Sequence, residues 1–163
     1  MGIFSISEQK IQNHVQSAIA PGEQVQQIVL GTEKPFWTKV FSRIGVMFWK
    51  SYIVASTSQR VVFVEYGGLF SGFKAKKVEA LNYHELDQTE LGWGIFNKNL
   101  TFRGQARQFK KTVEVNRFQR KGNLDAAQNV VGMVQQAKSL PPGPMAGQPA
   151  QMYGHQQYNQ LPS

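Results

Sequence analysis

The sequence predicts a mainly β chain with helices (α+β). About seven short antiparallel strands form a strongly bent sheet or open barrel, capped by a C-terminal amphipathic helix and preceded by an N-terminal one. Three observations carry this. Short runs rich in Val, Ile, Phe and Tyr recur between residues 23 and 118, separated by Gly, Ser, Thr and Asn. The apolar period becomes helical at the two ends, over Ser5–Ala20 and after Gly122-Asn123. Finally, Tyr52–Tyr66 reads as a hairpin whose second arm is apolar on both faces, Val61 and Phe63 on one, Val62, Val64 and Tyr66 on the other. Such a strand belongs inside a sheet that is covered on both sides.

In chain order, Ser5-Ile6-Ser7-Glu8 has capping-box spacing and opens a helix over Ser5–Ala20 with Ile11, Val15, Ala18 and Ile19 on one face. Pro21-Gly22 ends it. Glu23–Thr32 is a first strand. Pro35–Lys50 then packs five aromatic and three basic residues into 16 positions. Its aromatic residues either fill the core or stand exposed beside Lys39, Arg43 and Lys50, an arrangement suited to a membrane interface. The hairpin arms Tyr52–Ala55 and Val61–Tyr66 reverse at Ser56–Arg60. Gly67–Gly72 is a turn-rich connection, and Lys74–Tyr83 is a further strand. His84–Glu90 begins a loop or short strand; the runs Leu91–Phe96, Lys98–Arg103 and Lys111–Phe118 complete the sheet, with Gly104–Phe109 a turn that has Arg107 at its tip. Asn123 has the chemistry of an N-cap, and Leu124, Ala127, Val130, Val131, Val134 and Ala137 form the stripe of the last helix. The divisions are therefore a helix over residues 1–20, a domain over 21–138 and a Pro/Gly/Gln/Tyr tail over 139–163, without a charged residue and expected to be disordered.

The chain carries a net charge of +8. Lys34 through Val64 contains no acid, and Leu91–Leu124 has eight basic residues against Glu114 alone. This bias favours an anionic partner. There is no cysteine, which excludes a disulfide framework, a thiolate metal site and a cysteine nucleophile. Ser56 and Thr57 have no His or acid beside them to activate a hydroxyl. His84-Glu85 lacks the second histidine of a zinc-protease motif. No enzyme activity, metal or cofactor is expected. MGIFSISEQK lacks the pattern of a signal peptide, position 6 is not the Ser or Thr of a myristoylation site, and Ile44–Ala55 is too short to span a bilayer. The expected location is cytoplasmic, with peripheral membrane contact.

Several of these residues resemble a family. Pro21-Gly22-Glu23 before the first strand, Ser56-Thr57 and Arg60 followed by Val61-Val62-Phe63, the Gly67–Gly72 connection, Tyr83 with Leu86, and the final helix are similar to the bacterial pleckstrin-homology-like domains, the YokE-like group especially, and more loosely to GRAM domains. The resemblance covers roughly residues 20–138. It implies a non-catalytic binding module, a seven-stranded bent barrel plugged by its last helix and often oligomeric. Pleckstrin-homology domains often bind phosphoinositides through the first strand-loop-strand unit, which here spans Thr32–Trp49; the usual tight Lys/Arg-x-Arg pairing is absent after Arg43.

The first functional expectation is therefore peripheral association with anionic membrane through Lys34, Phe36, Trp37, Lys39, Phe41, Arg43, Phe48, Trp49 and Lys50. A secondary basic surface is expected at Arg103, Arg107, Lys110 and Lys111. The alternative is a protein-interaction or self-assembling module. A third reading is single-stranded nucleic-acid binding, with Phe102 and Phe109 stacking on bases beside Arg103, Arg107 and Lys111.

Overall fold

The computed structural model describes residues 6–33, 50–67, 74–104 and 108–139. Helix α1 (Glu8–Ala18) is followed by strands β1 (Val25–Glu33), β2 (Lys50–Thr57), β3 (Arg60–Tyr66), β4 (Ala75–Asn82), β5 (Gln88–Leu91), β6 (Asn97–Gly104) and β7 (Phe109–Asn116), then helix α2 (Asn123–Ser139). All pairings are antiparallel, in the order β4-β3-β2-β1-β7-β6-β5.

The sheet bends over on itself. In a flat sheet β3 and β6, four places apart, would be separated by roughly 19 Å. Yet the rings of Phe63 on β3 and Phe102 on β6 meet edge to face with centroids 4.9 Å apart. Val29, Val54, Val61, Phe63, Leu81, Leu100, Phe102, Val113 and Val115 fill the inner core, and α2 closes it with Ala127, Val130, Val131 and Val134. The other face of β1–β4 is covered by α1: Ile6, Ile11 and Val15 pack on Ile28, Leu30, Ile53, Ala55, Val62 and Val64. Burial on both sides is the reason β3 carries apolar residues at both parities.

The fold differs from the sequence expectation at four places. Ser7, not Ser5, caps α1, its hydroxyl accepting from the Lys10 N–H at 3.4 Å. The β2–β3 reversal is only Ser58-Gln59, because Ser56, Thr57 and Arg60 belong to the strands. Leu91–Phe96 is not a strand: β5 is Gln88–Leu91, and 92–96 is the connection to β6. Glycine is required there, since a Cβ on Gly94 would lie 2.0 Å from the Asn97 carbonyl oxygen. Asn123 does not cap α2 but begins it, and its buried side chain reaches away from the helix. It accepts from the Leu30 N–H at 2.9 Å and donates to the Leu30 and Asn116 carbonyls, each at 2.9 Å. Strands β1 and β7 pair only at Thr32↔Glu114, so this amide supplies the bonds where they part.

Several residues that carry the family resemblance, Glu23, Thr57, Arg60 and Tyr83 among them, converge on one hub; the Gly68–Gly72 part lies outside the described residues. Gly22, at φ +84°, turns the chain from α1 so that Glu23 points inward. The Glu23 carboxylate receives Arg60 Nε and Nη2, both at 3.0 Å, the Thr57 hydroxyl at 2.6 Å and the Ala20 N–H at 2.9 Å. Tyr83 donates its hydroxyl to the Thr57 carbonyl at 2.6 Å, and Leu86 beside it is fully buried. These residues join the end of α1, the start of β1, the β2–β3 hairpin and the end of β4.

Candidate functional site

The register brings three connections to one end of the barrel. Glu33 pairs with Lys50, Ser51 with Tyr66, and Tyr66 with Ala75, so the chain leaves and re-enters the first four strands along one row. Strand β7 runs antiparallel to β1, so its start at Phe109, and the turn from Gly104, lie toward the same end.

Of the residues expected at the site, Lys34, Phe36, Trp37, Lys39, Phe41, Arg43, Phe48, Trp49 and Arg107 lie outside the described residues, as does the tail beyond Ser139. Lys50 is exposed at the start of β2. Arg103 and Lys110 are exposed neighbours across the β6–β7 ladder, with an Arg103 Nη2–Glu90 Oε1 separation of 3.9 Å. Lys111 does not lie on that surface. It shares the inward parity of Val113 and Val115, its side chain is 11% exposed, and it forms an ion pair with Glu79 on β4. Its ammonium stands 4.4 Å from the centroid of the Tyr52 ring and 5.1 Å from that of Phe63. Phe102 is fully buried and Phe109 packs on Phe63, so the aromatic pair of the nucleic-acid reading belongs to the core.

The inside of this mouth is therefore an ionic plug. Glu79 also receives Lys77 at 2.6 Å, and the Tyr52 hydroxyl donates to Glu65 at 3.3 Å. Burial opposes the Glu79 charge, but hydrogen bonds from Lys111 and Lys77 outweigh it and hold the carboxyl below its usual range. Burial, with the Glu33 and Glu65 carboxylates beside it, pushes the Tyr52 phenol far above its ordinary value.

A second cluster, which the sequence reading missed, stands at the opposite end. Five large apolar side chains are exposed among the described residues, and four of them lie on the two connections at this end: Trp93 (94% exposed), Ile95 (67%), Phe96 (55%) and Phe118 (76%). The first three come from the β5–β6 connection and Phe118 from the β7–α2 turn. Hydrogen bonds fix both pieces. The Phe118 N–H donates to the Asn116 side chain at 2.7 Å, and the Arg117 N–H donates to the Phe96 carbonyl at 3.1 Å. Phe96 and Phe118 stack with centroids 6.0 Å apart, and the Arg117 guanidinium lies 5.7 Å from the centre of the Phe118 ring. The sequence signal was Gly92-Trp93-Gly94: two glycines leave the aromatic residue between them no strand to be buried in.

Among the described residues no three His, Asp or Glu side chains gather as a metal site requires, and no helix is long and apolar enough to cross a membrane. No protein-family model matches the chain. No curated protein matches it either. Among solved structures it is similar to the hSac2 domain from human phosphoinositide phosphatase Sac2, with a TM-score of 0.51 and 12% identity, over 83% of this chain and 85% of that one. At that identity the likeness is one of fold, and the fold is pleckstrin-homology-like.

Proposed function

We propose that the chain is a non-catalytic pleckstrin-homology-like binding module, of the YokE-like bacterial kind, that associates peripherally with anionic membrane by the rim of the barrel mouth. One observation carries the reading. The three connections that open at that end, residues 34–49, 67–74 and 105–108, contain Phe36, Trp37, Phe41, Phe48, Trp49, Phe70 and Phe73 together with Lys34, Lys39, Arg43, Lys74 and Arg107, and not one Asp or Glu. Aromatic rings suit the headgroup layer, and each cation near an anionic surface contributes about 1 kcal/mol. Exposed Lys50 and Lys110 extend the same rim. The similarity in fold to a domain of a phosphoinositide phosphatase agrees with a lipid-facing role.

Vesicle co-sedimentation tests it. The chain is expected to sediment with vesicles containing phosphatidylserine, to remain in solution with phosphatidylcholine alone, and to be released as salt shortens the Debye length to about 3 Å near 1 M. Trp37→Ser with Trp49→Ser is expected to weaken binding by roughly tenfold, a loss of about 1.4 kcal/mol. Equal recovery with neutral and anionic vesicles at low salt refutes the proposal.

A further inference from the structure

We infer that the Trp93–Phe118 cluster is a second lipid-inserting contact, so that one copy of the chain joins two anionic bilayers. The inference rests on the mouth rim being the first contact, but the second site stands on its own geometry.

The cluster protrudes. A tryptophan at 94% exposure touches almost nothing of its own fold, and its neighbours on the two loops are themselves more than half exposed. A convex apolar knob needs either a concave receptor or a soft apolar phase. Its surroundings favour the second. The two segments that form it, residues 92–98 and 116–122, hold Lys98, Arg117 and Lys121, together with Arg120, which is paired with Glu8 of α1, and no acid of their own. The carboxylates near them are engaged or set back: Glu114 accepts from Asn97, Glu90 from Gln88 and Glu8 from Arg120, and Asp125 belongs to the first turn of α2. Cations ringing exposed Trp, Phe and Ile are what an anionic bilayer surface recognises, the rings entering the headgroup layer while Lys and Arg meet the phosphates.

The knob is also rigid. Arg120 ties its turn to the rest of the fold, donating to the Ile28 carbonyl at 2.8 Å and to both Glu8 oxygens at 2.8 and 3.2 Å. With the Asn116 and Arg117 hydrogen bonds, this fixes the backbone that carries Phe96 and Phe118, so little backbone ordering entropy remains to be lost there on insertion.

Position decides the consequence. Strand β7 begins at the mouth end with Phe109 and ends beside the knob at Asn116, so the two ends are about 23 Å apart along the strand. Side chains that reach only about 5–10 Å into a bilayer cannot enter one flat surface from both ends of an upright barrel. Two contacts at opposite ends therefore bring two surfaces together.

The test uses the full chain and phosphatidylserine-containing vesicles. Wild type is expected both to sediment with them and to cluster them, seen as a rise in light scattering. Trp93→Ser with Phe118→Ser is expected to keep sedimenting while the scattering rise is lost. To separate lipid contact from pairing of two copies through the knob, Trp93 is made the sole tryptophan by Trp37→Phe and Trp49→Phe. Its fluorescence is then expected to shift to the blue and to be quenched by vesicles with brominated acyl chains. Three outcomes overturn the inference: clustering undiminished in the Trp93/Phe118 variant, wild-type sedimentation without clustering, or a sole Trp93 that brominated lipid does not quench. If the Trp93/Phe118 variant no longer sediments while Trp37→Ser/Trp49→Ser still does, the knob is the primary contact, and both the mouth-rim reading and the bridging built on it fall. Wild type that binds no vesicle refutes both.

Discussion

Asn123→Ala is expected to destabilise the fold by about 3 kcal/mol, lowering Tm by roughly 10 °C. The side chain is 1% exposed and makes three hydrogen bonds to backbone groups of two strands. Alanine leaves the Leu30 N–H and C=O and the Asn116 C=O without these partners, in a place water does not reach. Asn123→Asp sharpens the test. It keeps the acceptor for the Leu30 N–H but sets a carboxylate oxygen against two carbonyls, so its loss is expected to match or exceed that of alanine. Urea midpoints of the two variants decide: a change within about 0.5 kcal/mol, the range of ordinary surface substitutions, would show that the amide is not the clasp between β1 and β7.

The second large effect is expected at the Glu23–Arg60 pair, and it is unequal. The Glu23 side chain is 1% exposed whereas that of Arg60 is 28% exposed. Glu23→Gln leaves a guanidinium that can still reach water, for about 2 kcal/mol; Arg60→Ala strands a nearly buried carboxylate, for about 3–4 kcal/mol. Burial opposes ionisation of Glu23, but hydrogen bonds from Arg60, Thr57 and Ala20 and the Arg60 charge outweigh it, so its pKa is lowered from 4.5. A lowered carboxyl pKa stabilises above the unfolded value, and that contribution is lost as pH falls through the folded one. Wild type should therefore lose stability on acidification below about pH 4.5, and Glu23→Gln should lose less over the same span. In Arg60→Ala the buried carboxyl titrates higher, so the deficit relative to wild type is widest at neutral pH and narrows in acid. Denaturant midpoints at pH 7 and pH 3.5 check this; a deficit that stays constant would assign the loss to packing instead of charge.

Much of the fold was legible because burial leaves a parity in the chain. Val61–Tyr66, apolar at both parities, announced covers on both faces: α1 covers one, and the folded-over strands β6 and β7, with Phe102 and Phe109 on Phe63, cover the other. Lys111 shows the same rule overlooked: it alternates with Val113 and Val115, which sends it inward, yet a lysine in a basic stretch reads as surface until a partner such as Glu79 is seen. That partner lies on another strand, and no local pattern names it. The resemblance motif was visible, but not its purpose, because Glu23, Thr57, Arg60 and Tyr83 meet only in space. The Trp93–Phe96 run failed in the opposite sense. Aromatic residues in sequence suggest a strand and a core, and only the backbone, turned at Gly92 and Gly94, shows that nothing covers them.

The single pairing between β1 and β7 bears on how the chain is made. Leu30 waits for Asn123, 93 residues further on, before its backbone is satisfied. On the ribosome α1 emerges before β1, so the outer face of the first hairpins can meet its cover as soon as it forms. The inner face of β1–β4, with Val29, Val54, Val61 and Phe63, has no cover until β6, β7 and α2 have followed. The half-made chain thus presents one sealed side and one adhesive side, the inner face of β1–β4.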